Sequence, residues 1–355
     1  MDIKAFNYHL PKSLIANSPS TPRDSSRLLL LNRVTGQIRH THFRNLCQIL
    51  TKNDVLVLNQ TKVIPASLNG AKDTGGRISV LLLKKQTANT WQILTKHNLQ
   101  NGQLVHFPSL DNHLLSAKVI KNTSGPTSLK FNVNGKELKS KIENLGLPPL
   151  PPYLKITNAR DFINSYQTIF AKNPGSIAAP TAGLHFTPRL IKNLESKGVA
   201  IEFVNLHIGL GTFKPVSVDN IEDHEMHSEN FSLSTKTARR LNQAKSQGKK
   251  IIAVGTTSCR VLETCASGSQ IHPGSGSTSL FVFPPFKFNF VDSLITNFHL
   301  PRSTLLMLVS AFVSHPNTKH SFSKTFINSS IGAAYAKAIN RKYRFYSFGD
   351  AMFIY

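Results

Sequence analysis

Thr187-Pro188-Arg189-Leu190-Ile191-Lys192-Asn193-Leu194-Glu195-Ser196-Lys197-Gly198, running directly into Val199-Ala200-Ile201-Glu202-Phe203-Val204-Asn205-Leu206-His207, carries the fold class in one stretch. A threonine hydroxyl caps the free N–H groups that open a helix, and proline suits the first helical position because its missing N–H would be unpaired there anyway. Leu190, Ile191 and Leu194 recur at helical spacing, and Gly198 is a natural stop. Residues 199–206 then read as a strand. The scheme repeats: 235–247 is helical, Gly248 ends it, and 250–255 is a strand. Residues 292–297 read as another strand, with Ser303 capping an apolar helix through Phe312. Alternation of strand and helix predicts an α/β fold with a mostly parallel sheet covered on both faces. The Gly/Ser-rich stretch 267–279 reads as a loop.

Upstream the pattern changes. From Ser67 to Leu147, short apolar runs (78–83, 91–94, 114–120, 129–133) recur between Gly, Asn, Pro and Ser clusters, as in a small barrel or sandwich. Between Ser67 and Glu143, 11 Lys and Arg face 4 acids, so this segment carries about +7. Pro148-Pro149-Leu150-Pro151-Pro152-Tyr153 follows, which neither a helix nor a central strand tolerates, and marks a stiff connector at a domain edge.

The whole chain, 355 residues, is long enough for two or three domains. Its 42 Lys and Arg against 18 Asp and Glu give +24, an excess that favours a polyanionic partner. The basic residues are dispersed, so such a surface belongs to the folded body; a merely solvated basic surface is the alternative. Three cysteines, Cys47, Cys259 and Cys265, have no C-x-x-C spacing, which fits a reducing compartment. No signal peptide is visible and the longest apolar run, residues 305–313, is too short to span a bilayer, so a cytoplasmic protein without membrane contact is expected.

Ligands of open α/β sheets bind outside the carboxyl ends of the strands, and four polar, glycine-bearing segments fall at such places. They are 178–186 with Thr181, Gly183 and His185; 207–213 with His207, Gly209, Gly211 and Thr212; 255–260 with Thr256 and Arg260; and 297–301 with Asn297 and His299. Glycine lets backbone approach a ligand, while His and Arg supply proton transfer and anion contacts. His224 and His227, in Asp223-His224-Glu225-Met226-His227-Ser228-Glu229, offer with His207 three imidazoles, the count of many catalytic zincs. Their spacing is not H-E-x-x-H, and hydrogen bonding to a substrate is the alternative; no metal is expected. No phosphate-cradling loop, dinucleotide fingerprint or G-x-S-x-G nucleophile elbow occurs.

At these same segments the chain resembles the S-adenosylmethionine:tRNA ribosyltransferase-isomerase family. The likeness runs in order through Leu10-Pro11, Arg23-Asp24-Ser25-Ser26-Arg27-Leu28, Asn59-Gln60-Thr61-Lys62-Val63-Ile64-Pro65-Ala66, 148–153, Tyr166-Gln167-Thr168, 178–186, 207–216, 221–229, 255–260, 294–308, and 343–352. The resemblance implies an α/β catalytic domain made of residues 1–66 and 148–355, with a small β-barrel domain, 67–147, inserted. It implies transfer and isomerisation of the ribosyl group of S-adenosylmethionine onto 7-aminomethyl-7-deazaguanine at the tRNA wobble position. The products would be epoxyqueuosine-tRNA, adenine and methionine, and no cofactor is needed because S-adenosylmethionine is a substrate. A monomer is expected. His185, His207, His299 and Arg260 are the catalytic candidates. Tyr166, Thr181, Gly183, Gly209, Gly211, Thr212, His224, His227, Thr256, Asn297, Arg344 and Asp350 are the substrate-binding candidates. Arg260 and Arg344 suit a methionine carboxylate or a tRNA phosphate, Asp350 suits orienting one of them, and Asn297 and Thr256 suit hydrogen bonds to adenine or ribose. The chain departs from the family pattern at Ser67, Ser79, Pro285, Asn340 and Arg341, and in a longer connection at 314–330. A non-catalytic RNA-binding module and a metal-dependent hydrolase built on His207, His224 and His227 are the rival readings.

Overall fold

A computed structural model describes the chain apart from residues 109–114, 122–124, 152, 155–157, 210, 212–215 and 323. Strands β1 (Arg27–Leu31), β2 (Ile38–His42) and β3 (Asp54–Asn59) come first. Six follow: β4 (Ser67–Lys72), β5 (Arg77–Lys85), β6 (Thr90–Leu94), β7 (Leu104–Phe107), β8 (Leu115–Ile120) and β9 (Ser128–Phe131). Another six are β10 (Ala200–Leu206), β11 (Glu229–Leu233), β12 (Lys250–Val254), β13 (Gly274–Thr278), β14 (Ser293–Asn297) and β15 (Ala351–Ile354). The main helices are α1 (Gly135–Leu145), α2 (Pro188–Ser196), α3 (Thr235–Ser246), α4 (Gly255–Cys265), α5 (Thr304–Val313) and α6 (Ser330–Asn340).

The chain divides into two compact units. The first comprises Met1–Lys62, Gln167–Asn173 and Ala179–Tyr355; the second comprises Val63–Tyr166 and Pro174–Ala178. The expected insert, 67–147, lies inside the second unit, which also takes in the proline-rich connector.

In the first unit nine strands form one sheet in the order β13-β11-β10-β3-β12-β14-β15-β1-β2. Its middle is parallel, β10 with β3, β3 with β12 and β12 with β14, and β15 runs parallel to β1. The remaining neighbours are antiparallel, so the parallel character anticipated from strand–helix alternation belongs to the centre of a mixed sheet. The centre reads as continuous apolar sequence because both its faces are covered: β3 is buried from Val55 to Asn59 and β12 from Ile251 to Val254.

Helix starts obey local capping chemistry. The Thr187 hydroxyl accepts from Leu190 N at the start of α2, Ser234 caps α3 and Ser303 caps α5. α2 buries Leu190 and Leu194 in a core with Leu56, Leu58, Phe43 and Phe186. The stretch 267–279, expected to be a loop, instead contributes edge strand β13, paired antiparallel with β11 from Glu229↔Thr278 to Leu233↔Gly274. Gly and Ser have poor strand propensity, but the neighbour's ladder of backbone groups overrides it.

In the second unit, β9-β6-β5-β4-β7-β8 close into an antiparallel barrel. Its interior holds Leu68, Ile78, Val80, Leu82, Ile93, Val105, Phe107, Leu115, Val119 and Leu129, sealed by Leu138 and Ile142 of α1. Among the described residues, no helix is long and apolar enough to cross a membrane.

Candidate active site

Asn59, the last residue of β3, fixes the end of the neighbouring strand. Its Nδ2 donates to Leu206 O (3.0 Å) while its Oδ1 accepts from Leu206 N and Thr61 N (3.1 Å each). The side chain thereby continues the backbone ladder one step past β3, and sets the residues after both strands side by side. As a result the Thr61 hydroxyl meets His207 Nδ1 at 2.8 Å, and His207 N donates to Asn230 O (2.8 Å). His207 is half-buried, and burial holds its pKa below the usual 6.5, so the imidazole is the neutral, basic form near neutral pH.

His185 closes a short 3-10 helix, Thr181–His185, and is almost wholly buried, stacked on Phe43 with ring centroids 4.9 Å apart. The Asn297 amide nitrogen faces Tyr346 O (3.2 Å) and its oxygen accepts from the Thr181 hydroxyl (3.1 Å), which fixes the orientation of the amide. That nitrogen therefore donates to His185 Nε2 (3.2 Å), and the ring proton sits on Nδ1, toward Ser26 Oγ at 2.8 Å. Burial, helped by the positive charges of Arg344 and Arg23, drives the His185 pKa down to about 3. Both ring nitrogens of His185 are engaged within the chain, and its imidazole is neutral.

His299 is likewise buried, with Nε2 at 2.7 Å from the Thr296 hydroxyl and its backbone N–H bonded to the Tyr335 hydroxyl at 3.0 Å. Burial lowers its pKa to about 3. These loops meet at one small pocket, to which Ala179–Ala182, Ile208, Gly255–Thr257, Thr296, Asn297, His299 and Leu305 all contribute. Each of the four strand-end segments singled out from the sequence supplies part of its lining.

Arg260 lies in the second turn of α4, because Gly255 at φ +87° turns β12 straight into that helix with no intervening loop. It is 5% exposed and its guanidinium is paired with Glu229 Oε2, with further bonds from Nε to Leu280 O (3.1 Å) and Nη2 to Thr278 O (3.3 Å). The other oxygen of Glu229 accepts from Gly209 N at 2.8 Å. The Arg260–Glu229 pair thus ties α4, β11 and β13 to the backbone that follows His207.

The remaining candidates separate. A Cβ on Gly211 would stand 2.1 Å from Cδ2 of His227, so this position admits only glycine against that ring. His227 is exposed; His224 packs edge-on to Phe281 with centroids 5.3 Å apart, and burial followed by the neighbouring His227 lowers its pKa. Among the described residues no group of three or more His, Cys, Asp or Glu gathers as metal ligands, and His207, His224 and His227 do not form one. Thr212 lies outside the described residues. Tyr166 is fully buried and belongs to the barrel-bearing unit. A Cβ on Gly183 would come within 2.8 Å of the Phe170 ring and 3.0 Å of Thr168.

Asp350, 2% exposed, accepts from Arg27 N and Arg344 N (2.8 Å each) and pairs with the Arg27 guanidinium. The Arg344 guanidinium reaches Ser18 O (3.2 Å) and the Ser20 hydroxyl.

Ser26, Thr61, Glu229 and Thr296 orient the candidates and were not themselves singled out as site residues. Ser26 and Thr61 stand inside motifs that marked the resemblance, but their histidine partners lie 159 and 146 residues away.

The chain as a whole has a known counterpart. The chain is similar to the crystal structure of an S-adenosylmethionine tRNA ribosyltransferase from Thermotoga maritima, at 35% identity with a TM-score of 0.55. The match covers 99% of this chain and 100% of that one. The family described as queuosine biosynthesis protein matches residues 3–354. With that match spanning nearly every residue, from the first 3-10 turn to the closing strand β15, the chain belongs to the queuosine biosynthesis protein family.

Proposed function

We propose that this protein transfers and isomerises the ribosyl group of S-adenosylmethionine onto the aminomethyl group of 7-aminomethyl-7-deazaguanine in tRNA, releasing adenine and methionine. The observation that carries this reading is the meeting of four polar strand-end loops at one pocket, in a chain of this family. The reaction makes three physical demands. A base removes a proton from the carbon beside the sulfonium, where the positive sulfur already acidifies it. The departing adenine is met by hydrogen-bond donors. The acceptor amine attacks as the neutral form.

His207 suits the first demand, being half-buried, neutral near neutral pH because burial lowers its pKa, and oriented by Thr61. His299 suits the second as a donor of a hydrogen bond and not of a whole proton, because it stays neutral in the pocket wall. His185, Asn297 and Thr181 hold the wall in place through their shared bonds. The excess of +24 supports a tRNA partner, and the exposed Lys84, Lys85 and Lys96 on the barrel-bearing unit are its proposed contacts. A cytoplasmic location fits such a substrate.

One incubation tests the reading: purified protein, S-adenosylmethionine and tRNA bearing the precursor base, followed by mass spectrometry of the tRNA and assay of free adenine. Adenine release matched by a ribosyl-derived mass gain on the tRNA is the expected result. A methyl gain, or adenine release with unchanged tRNA, would refute it.

A further inference from the structure

Resting on the reading above, we infer that the N-terminus of α4, with the hydroxyls of Thr256 and Thr257, is the subsite for the α-carboxylate of the methionyl end of S-adenosylmethionine. Within the substrate the carboxylate is the one anionic group, and burying it in a pocket requires a compensating positive potential. Arg260, the side chain of the neighbouring turn that sequence alone nominates for this role, is turned to Glu229 and to two backbone carbonyls. Among the described residues that line the pocket, none is Lys or Arg.

The fold supplies the potential another way. β12, in the parallel centre of the sheet, ends at Val254, and Gly255 turns the chain directly into the 11-residue helix α4. No side chain caps this end: Val254 occupies the cap position and has no hydrogen bond to offer. By contrast α2, α3 and α5 are capped by Thr187, Ser234 and Ser303. An uncapped first turn presents N–H groups and the positive end of the helix dipole to whatever stands before it. Gly255, Thr256 and Thr257 of that turn line the pocket.

An independent observation points to a ligand at the same place. Thr256 is 6% exposed, faces the pocket, and its hydroxyl has no hydrogen bond to any described residue. The Thr257 and Ser258 hydroxyl oxygens are likewise buried without a partner among the described residues. Buried hydroxyls ordinarily find partners, and the two that line the pocket at this uncapped helix end, Thr256 and Thr257, are the donor set of an anion site. A carboxylate takes two such donors together with the N–H groups of the turn. Thr181, Asn297 and His299, which also line the pocket, are neutral, and among the described lining residues there is no competing anion.

The test compares S-adenosylmethionine with decarboxylated S-adenosylmethionine, which keeps adenosine, sulfonium and amine but lacks the carboxylate. Binding is measured by titration calorimetry on the wild-type full chain and on Thr256→Val and Thr257→Val. Wild type is expected to bind the decarboxylated compound about 10- to 100-fold more weakly, the scale of hydrogen bonds to a charged partner. Thr256→Val should weaken S-adenosylmethionine about tenfold and leave the decarboxylated compound unchanged. Equal affinity of wild type for the two compounds overturns the inference and leaves the proposed function standing, whether or not either variant folds. Equal weakening of both compounds in Thr256→Val overturns it too, as does a variant that loses affinity for tRNA and not for S-adenosylmethionine, which would hand the helix end to a phosphate. No binding of S-adenosylmethionine to wild type, with or without tRNA, would bring down the proposed function and this inference together.

Discussion

Arg260→Ala is expected to act on the fold before it acts on any ligand. Arg260 and Glu229 are each about 95% buried and paired, so truncating the arginine leaves a carboxylate in the interior without its counter-charge. Breaking one side of a buried pair costs about 3–5 kcal/mol. The carbonyls of Leu280 and Thr278 lose their donor as well, at on the order of 1 kcal/mol each. A destabilisation of about 5 kcal/mol is therefore expected, read as an earlier midpoint in urea by near-ultraviolet circular dichroism. The double variant Glu229→Gln with Arg260→Ala removes both charges, so much of that loss should return; a double variant less destabilised than the sum of its two single variants is the signature of the pair. Gly209 N would then face an amide oxygen where it now faces a carboxylate, and kcat should fall more than KM rises. An Arg260→Ala protein that unfolds at the wild-type midpoint while its KM for S-adenosylmethionine climbs would refute the reasoning, and would return this guanidinium to the substrate.

Three further outcomes are expected. His207→Ala should fold normally and lower turnover by roughly 10²–10⁴-fold, and should lose the acid limb of the pH profile. In wild type that limb lies below 6.5, since burial lowers the His207 pKa and the base stays unprotonated through neutrality. His185 and His299 have pKa values of about 3 in the folded chain and would titrate near 6.5 when unfolded. The unfolded chain binds more protons between those values, so stability should fall as pH drops from 6.5 toward 3. The slope is about 1.4 kcal/mol per pH unit for each histidine, and His185→Gln should roughly halve it in acid-unfolding curves. Finally, replacing Lys84, Lys85 and Lys96 together by Ala should weaken tRNA binding and flatten the log–log salt dependence by about two units, with S-adenosylmethionine binding unchanged; an unaltered slope would take the barrel-bearing unit out of tRNA recognition.

What could be read from the sequence was whatever local chemistry decides. The caps at Thr187 and Ser303, the stops at Gly198 and Gly248, and the strands 199–206 and 250–255 need no distant partner to be recognised, and they stand within a residue or two of the elements found. In the barrel the four apolar runs emerged, but β4 and β7 did not: in Ser67-Leu68-Asn69-Gly70-Ala71-Lys72 only Leu68 is buried, and in Leu104-Val105-His106-Phe107 only Val105 and Phe107 are. β13 failed for the same reason, being made of Gly, Ser and Thr and held by its neighbour's backbone. The convergence of the four loops could be anticipated from the strand-end rule. Which way Arg260 turns could not, because the answer depends on Glu229 and on an edge strand invisible to propensity.

The slot that β15 fills has a consequence for how the molecule is made. β15 lies between β14 and β1, pairing Leu28 with Ala351 and Leu294 with Ile354. While a ribosome is still translating, β1 has its apolar edge, Leu28 through Leu31, without the neighbour it will have later. At about 5–20 residues per second, the interval between synthesis of Leu28 and of Ala351 is on the order of 15–65 s. Through that time the nascent chain carries an open leucine-rich edge of the kind that recruits other strands. The arrival of β15 therefore decides whether the sheet closes on itself, and a ribosome that stalls in α6 would leave two part-sheets, of six strands and of two, able to find partners in other chains.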